Sequence, residues 1–96
     1  KGYILSAHRS EADPVKKAAY NLLVRNALER LEVKLLNGKS RKKLTVYENG
    51  VNQSTVLIEF STCDETINAY HSSDYQKALL ALDNGADRGI RIFEDL

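Results

Sequence analysis

The pattern of apolar and polar positions predicts short strands that alternate with helices. The apolar, β-branched run Thr55–Phe60 is typical of a buried central strand, although it contains one charge, Glu59. Alternation of apolar and polar residues also predicts strands at residues 3–8, 32–36 and 89–94, and residues 44–48 alternate in the same way. Turns at Asn37-Gly38 and Asn49-Gly50 separate the middle segments.

Helical spacing follows the first predicted strand. Asp13 and Pro14 together are a strong signal for a helix start, with Asp as N-cap and Pro at the first helical position. The expected core-facing stripe is Val15, Ala18, Ala19, Leu22, Leu23, Ala27 and Leu31, and the expected solvated face is Lys16, Lys17, Asn21, Arg25 and Glu29.

Two further helices are expected after the central strand. Thr62 and Glu65 form a capping box for a helix that starts at Cys63 and turns Ile67 and Tyr70 inward. Ser72 is placed to cap the next helix, whose inward residues are Tyr75, Leu79 and Leu82 and whose C-cap is Asn84-Gly85.

The resulting order is β-α-β-β-α-β, which predicts an α+β, ferredoxin-like domain spanning residues 1–96. Its antiparallel sheet would carry the helices on one face. The opposite face would present Leu5 or Ile4, Leu57 or Ile58, and Phe93 or Ile92. Because an apolar sheet face needs cover, we expect a homodimer in which two sheets pack face to face, as in dimeric α/β barrels.

Composition and charge narrow the function classes. The net charge is +1, but residues 1–48 hold eleven Lys and Arg against five Asp and Glu, while residues 49–96 hold three against eight. This asymmetry favours oppositely charged surfaces that could meet in an oligomer. No run approaches the roughly 20 apolar residues of a membrane helix, and no signal-peptide pattern is visible. The lone Cys63 cannot form an intrachain disulfide, so a cytoplasmic location is expected.

Glu59 and His8 are the candidate catalytic residues. A carboxylate among buried neighbours would have a raised pKa and could act as a general base. The alternative is a Glu paired with a cation such as Arg91. His8 ends the strand expected beside the central one and could take part in proton transfer, or it could be structural. No His or carboxylate spacing supports a metal, and we expect no cofactor.

Candidate ligand-binding residues cluster in the second half of the chain. His71 and Ser72 lie at the break between the two later helices, and Tyr20, Tyr70 and Tyr75 would converge between helices and sheet. They could stack on an apolar ring or donate hydrogen bonds to it; equally, they could be core residues with polar tips. Cys63, in the first turn of a helix, could be an activated thiol, but a small structural side chain is the simpler interpretation.

A basic segment also requires an explanation. Four of the residues 39–43 are cationic, which could serve RNA or phosphate binding. Since aromatic interleaving is limited to Tyr47 and the net charge is small, a solvated hairpin tip is favoured and nucleic-acid binding is the weaker alternative.

The chain resembles the proteins grouped as domain of unknown function 1330. The matching features are an aromatic first strand after Lys1-Gly2, the Asp13-Pro14 helix start, Tyr20, a loose Glu48/Gly50 match, the strand end Ile58-Glu59-Phe60, and the segment 69–76, in which Ala69 and Ser73 replace a Trp and a Pro. The resemblance implies the dimeric α/β-barrel variant of the ferredoxin-like fold. Relatives by fold include cofactor-free monooxygenases, heme-degrading proteins and small ligand binders.

Two function classes follow. The first is a small-molecule binder or cofactor-independent enzyme, whose site lies between helices and sheet near His8, Glu59 and the tyrosines. The second is a non-catalytic dimeric domain whose polar groups are structural or form an interface. A buried Glu beside several Tyr is costly for pure structure, which favours the first class.

Overall fold

The fold is an antiparallel sheet with helices packed on one face. A computed structural model describes residues 1–37 and 44–96. In chain order these form β1 (Gly2–His8), α1 (Pro14–Leu28), β2 (Lys34–Leu35), β3 (Thr55–Phe60), α2 (Cys63–His71), α3 (Ser73–Leu82) and β4 (Arg88–Glu94). The strand order is β2-β3-β1-β4 and every neighbouring pair is antiparallel. This is the ferredoxin-like arrangement, and it confirms the predicted fold class.

The two faces of the sheet differ in their cover. On β1, Gly2, Ser6 and His8 are buried beneath the helices. The alternate residues point to the other side, which no element of the described chain covers. We call this side the open face; it carries Tyr3, Leu5, Leu57, Glu59, Arg91 and Phe93. Of the alternatives left by the sequence, Leu5, Leu57 and Phe93 are therefore the ones on the face without helices.

Helix α2 sits directly on the sheet because β1 begins with a residue that has no side chain. A Cβ at Gly2 would lie 2.6 Å from both the Cα of Cys63 and the carbonyl oxygen of Thr62, and it would also collide with the hydroxyl of Thr66. Thr66 is fully buried, and its hydroxyl donates to the Thr62 carbonyl at 2.8 Å. The helical pattern predicts Ile67 as the inward residue, but Ile67 is 41% exposed. The polar Thr66 can replace it because its own helix satisfies the hydroxyl.

Helix α1 packs mainly against α3. Asp13 accepts hydrogen bonds from the amides of Val15 and Lys16, as its predicted N-cap role requires. At the same end, Lys16 contacts Asp83 at 3.2 Å and Asn84 at 2.6 Å, just past the C-terminus of α3. Asp83 itself has a positive φ (51°) and ends α3, one residue before the predicted Asn84-Gly85 cap.

The inward face of α1 is only partly the predicted one: Leu23 of the expected stripe packs against the core, but other members of the stripe do not. Val15 and Leu22 are 80% and 59% exposed, whereas Tyr20 is buried. Lys17, which the pattern assigns to solvent, is half-buried and lines the space between α1 and the sheet, whereas Asn21 at the edge of that space is exposed, as the pattern predicts. The helix is rotated because Tyr20 makes hydrogen bonds to α3 and β4 that the apolar stripe does not encode.

Two predicted strand segments also differ. The second strand is shorter than predicted: Lys34 and Leu35 pair with β3, the amide of Leu36 donates to the carbonyl of Leu57, and the side chain of Asn37 then bonds to Thr55 and Leu57. Residues 44–48 form no strand, and Tyr47 is 78% exposed. Alternation in that segment therefore does not reflect a buried face.

Gly2→Ala should destabilise the fold by about 1–3 kcal/mol, because the added methyl group has no space between β1 and α2. The measurement is the free energy of unfolding from urea denaturation. Gly89→Ala is the matched control, since a Cβ there would meet the side chain of Arg9 at an ordinary 3.4 Å. It should change stability by no more than about 0.5 kcal/mol. Equal stability of the two variants would contradict the close packing of α2 on β1.

Candidate functional site

A cavity of about 130 Å³ separates α1 from the helix-covered face of the sheet. It exists because α2 rests on one end of β1 while α1 is held by α3 and stands away from the strands. Most of its wall is apolar. The sheet contributes Ile4, Ser6, His8, Val56, Ile58, Phe60, Arg88 and Ile90, and the helices contribute Lys17, Tyr20, Asn21, Val24, Leu28, Ala69, Tyr70 and Tyr75.

Three polar side chains meet at one wall of this cavity. The hydroxyls of Tyr20 on α1 and Tyr75 on α3 are 2.8 Å apart. Arg88, the first residue of β4, donates from Nη2 to Tyr20 at 2.9 Å and to Tyr75 at 3.2 Å. Its guanidinium also lies 4.6 Å from the centre of the Tyr20 ring, a cation–π distance. We refer to these three residues as the tyrosine–arginine group.

Both tyrosines of the group are buried, with 8% of each residue exposed. Burial raises the pKa of Tyr75 above its ordinary value, and the neighbouring Tyr20 raises this pKa further, while Arg88 opposes the shift. Tyr75 is therefore a neutral hydroxyl at physiological pH. Since one hydroxyl donates to the other, the pair keeps one hydroxyl hydrogen that can be donated elsewhere.

The cavity is electropositive at this wall. Arg88 is half-buried, and among the residues described no carboxylate lies within ion-pairing distance of its guanidinium. No Asp or Glu occurs among the described lining residues. An anion or an electron-rich oxygen would therefore be favoured here.

Ser6 adds an unsatisfied polar atom. The residue is 6% exposed, and its Oγ has no hydrogen-bond partner within the described part of the chain. Buried hydroxyls are nearly always paired, so this atom requires an explanation. It lies on the same face of β1 as His8, which pairs across the sheet with Arg88. Both residues line the cavity.

The polar and apolar parts of the lining lie at opposite ends. His8 and Arg88 mark one end, and Ile4 lies four residues back along β1, about 13 Å away for an extended strand. Helix α1 runs back beside the sheet, so Lys17 and Tyr20 come early in the helix and Leu28 comes at its end. The cavity therefore has a charged, hydrogen-bonding end and an apolar end.

The structure brings several predicted site residues together. Tyr20, Tyr70 and Tyr75 converge as expected, with the rings of Tyr70 and Tyr75 5.1 Å apart, and His8 joins them in the cavity wall. Ser72 has a structural role, because its hydroxyl accepts from the amide of Tyr75 and donates to the carbonyl of Ala69. It is the predicted cap of α3.

Other predicted site residues lie elsewhere. Glu59 is on the open face, where its carboxylate is 3.4 Å from Nζ of Lys1. Its expected position in the cleft with His8 and the tyrosines is therefore wrong, because Glu59 alternates with the inward-facing Ile58 and Phe60. The alternative of a paired Glu describes it better, with Lys1 rather than Arg91 as the cation. His71 is exposed at the end of α2, its ring 5.4 Å from that of Tyr70.

Sequence reasoning missed Arg88, Ser6 and Lys17. Arg88 had a detectable signal, because in the last strand it lies on the same face as the apolar residues Ile90 and Ile92. Ser6 had the same signal beside Ile4. Lys17 had none, since the helix pattern assigns it to solvent.

Cys63 and the basic segment complete the set of candidates. Cys63 opens α2, as predicted, and is half-buried.

In residues 1–37 and 44–96 no group of three or more His, Cys, Asp or Glu could hold a metal ion. The basic segment 39–43 lies outside the described residues, so its role stays a prediction. Among the helices described, none is long and apolar enough to cross a bilayer.

Comparison with solved structures supports the fold. A protein of unknown function from Rhodopseudomonas palustris, RPA0582, superposes with a TM-score of 0.68 at 17% identity, over 99% of this chain and 82% of that one. An antibiotic biosynthesis monooxygenase gives 0.58 at 10% identity, over 100% and 99% of the two chains. SnoaB, a cofactor-independent oxygenase from Streptomyces nogalater, gives 0.58 at 13% identity, over 99% and 91%. At such identities the likeness concerns the fold alone.

Two comparisons were made at the level of sequence, one with curated proteins and one with family models. No curated protein matches the chain. The family model described as "Domain of unknown function (DUF1330)" matches residues 1–96. The match covers the whole chain and confirms the resemblance seen in its motifs, so the protein is a member of the DUF1330 family.

Proposed function

We propose that this protein binds a small organic molecule in the cavity between α1 and the sheet. The observation that carries the proposal is the buried, unpartnered Ser6 hydroxyl in an otherwise largely apolar cavity of the described chain. A cavity with few, convergent polar groups is the usual form of a small-molecule site. Its volume of about 130 Å³ suits a molecule of one ring or a short chain, since a cavity of about 150 Å³ can hold benzene.

The comparisons are compatible with this proposal. Two of the similar folds are described as a monooxygenase of antibiotic biosynthesis and a cofactor-independent oxygenase. Oxygenases act on a bound substrate, so folds of this kind can hold one. Fold likeness alone does not assign a reaction, and the proposal for this chain is therefore binding. His8 keeps its place as the candidate for proton transfer because it lines the cavity.

We also propose that the open face pairs with that of a second copy. Tyr3 and Phe93 stack there with ring centres 5.3 Å apart, and Leu5 lies directly opposite Leu57. The face carries Lys34 and Arg91 as well as Glu59, so a two-fold pairing of identical surfaces can bring opposite charges together across the interface.

Val24→Phe should block ligand binding, because Val24 lines the cavity and the larger side chain fills it. The probes are benzoate, benzamide and benzyl alcohol, titrated into isotope-labelled protein and followed by amide chemical shifts. Shifts should concentrate on cavity residues in the wild type, and the variant should bind about tenfold more weakly or worse. Val15→Phe is the matched control, since Val15 is on the exposed side of the same helix. Failure of all three probes to bind, or equal binding by both variants, would refute the proposed site.

Native mass spectrometry should detect a dimer of the wild-type protein, and Phe93→Glu should convert it to a monomer. A carboxylate at this 44% exposed position would bury an unpaired charge in the interface. Leu80→Glu, at an 80% exposed position on α3, should leave the dimer intact. A monomeric wild type would contradict the pairing, as would a Phe93→Glu dimer of undiminished stability.

A further inference from the structure

We infer that the cavity is built for a small organic carboxylate, whose charged group binds the tyrosine–arginine group and whose apolar body lies toward Phe60 and Ile4. The inference deepens the proposed function and rests on it. It assigns to the ligand a charge, an orientation and a chemical class, which the shape of the cavity alone does not determine.

Arg88 carries a charge that no described carboxylate balances. A guanidinium that is partly removed from water loses solvation, and proteins usually compensate with a carboxylate. The partners of Arg88 within residues 1–37 and 44–96 are instead two tyrosine hydroxyls and one aromatic ring. These satisfy part of its hydrogen-bonding capacity, and the ring attracts the cation, but none of the three supplies a negative charge. A bound anion would complete the site.

The tyrosine–arginine group and Ser6 together supply spare hydrogen-bond donors. Both bonds from Arg88 to the tyrosines use Nη2, so Nη1 and Nε have no partner among the described residues. The tyrosine pair retains one hydroxyl hydrogen, and Ser6 Oγ can donate another. This wall of the cavity therefore offers several donors and no negative charge, which is the complement of a carboxylate.

Among anions, a carboxylate suits these donors best. The planar fork of a guanidinium matches the two oxygens of a carboxylate and can hold them in parallel hydrogen bonds. A phosphate group fits a guanidinium too, but its usual second charge and third oxygen ask for more cations and more polar surface than a largely apolar cavity of about 130 Å³ supplies. The apolar end, between Leu28 on α1 and Phe60 on β3, is suited to a ring or alkyl chain.

The experiment compares ligands that share one ring but differ in charge. Benzoate, benzamide and benzyl alcohol are titrated into the full chain, and their dissociation constants are measured by amide chemical shifts and calorimetry. Wild-type protein should prefer benzoate to the two neutral compounds by about tenfold or more, the effect expected of one charge-assisted contact. Phenol at a pH above its own pKa, and inorganic phosphate, complete the set.

Two variants test the role of Arg88. Arg88→Gln should remove the preference for benzoate while leaving the binding of benzamide within about threefold of the wild type. Arg88→Lys should keep the charge but lose part of the preference, because the ammonium group cannot form the fork. Arg25→Gln is the matched control for the loss of one positive charge, since Arg25 is exposed on α1. It should bind like the wild type.

The outcomes separate this inference from the proposed function. If benzoate and the neutral compounds bind equally in the wild type, and Val24→Phe weakens all of them, the carboxylate assignment is wrong and the binding site stands. If phenolate or phosphate binds more tightly than benzoate, the class of anion is wrong. If no probe binds, the proposed function fails and this inference fails with it. Because the comparison among ligands uses the wild type, a folding defect in the Arg88 variants does not affect it.

Discussion

The site depends on one contact, the hydrogen-bonded meeting of Tyr20, Tyr75 and Arg88. Each residue comes from a different element, α1, α3 and β4 respectively, so the contact joins the two long helices to an edge strand of the sheet. It acts at the tips of long side chains and therefore holds α1 at a distance from the strands. The cavity beneath α1 is a consequence of that distance. A set of short apolar side chains at these positions would have let the helix settle on the sheet.

At the other end of β1 a helix packs closely on the sheet, in contrast to α1, which stands away from it. Gly2 has no side chain and lies under α2, which approaches the sheet until backbone meets backbone. The same strand thus supports a helix in close contact at its beginning and faces a cavity at Ser6 and His8. This contrast determines where a ligand can bind, because the space between the helices and the sheet lies under α1.

The architecture is largely predictable from the sequence, and the composition of the site only partly. The central strand Thr55–Phe60, the Asp13 cap and the Ser72 cap are local signals, and each lies where it is predicted. Glu59 shows the limit of such signals. Alternation shows which residues share a face of a strand, but it does not show which face the helices cover. The sequence therefore leaves Glu59 free to point into the cleft, although its neighbour Phe60 occupies that side.

The rotation of α1 has a different cause. Its apolar stripe is weak, and the pairing of Tyr20 with Tyr75 joins residues 55 positions apart in sequence. No local pattern contains that information, so Lys17 looks like a solvent-facing residue although it lines the cavity. The same long-range contact brings Arg88 into the site. The consequence is a change in the sign of the charge at the site: the sequence predicts a site built around a carboxylate, whereas the described cavity is built around a cation.

That change of sign constrains the chemistry as well as the ligand. A neutral tyrosine with a raised pKa is a hydrogen-bond donor and a poor base at physiological pH, and a guanidinium is neither an acid nor a base there. The tyrosine–arginine group is therefore suited to stabilising negative charge on an oxygen atom of a bound molecule. Hydrogen-bond donors that are already in position stabilise a negative oxygen in two situations: when the ligand is an anion, and when the negative charge develops on the ligand during a reaction. Binding of an anion and stabilisation of an anionic intermediate are thus two uses of one arrangement. A proton acceptor is what would distinguish them, and among the described lining residues His8 is the candidate for that role.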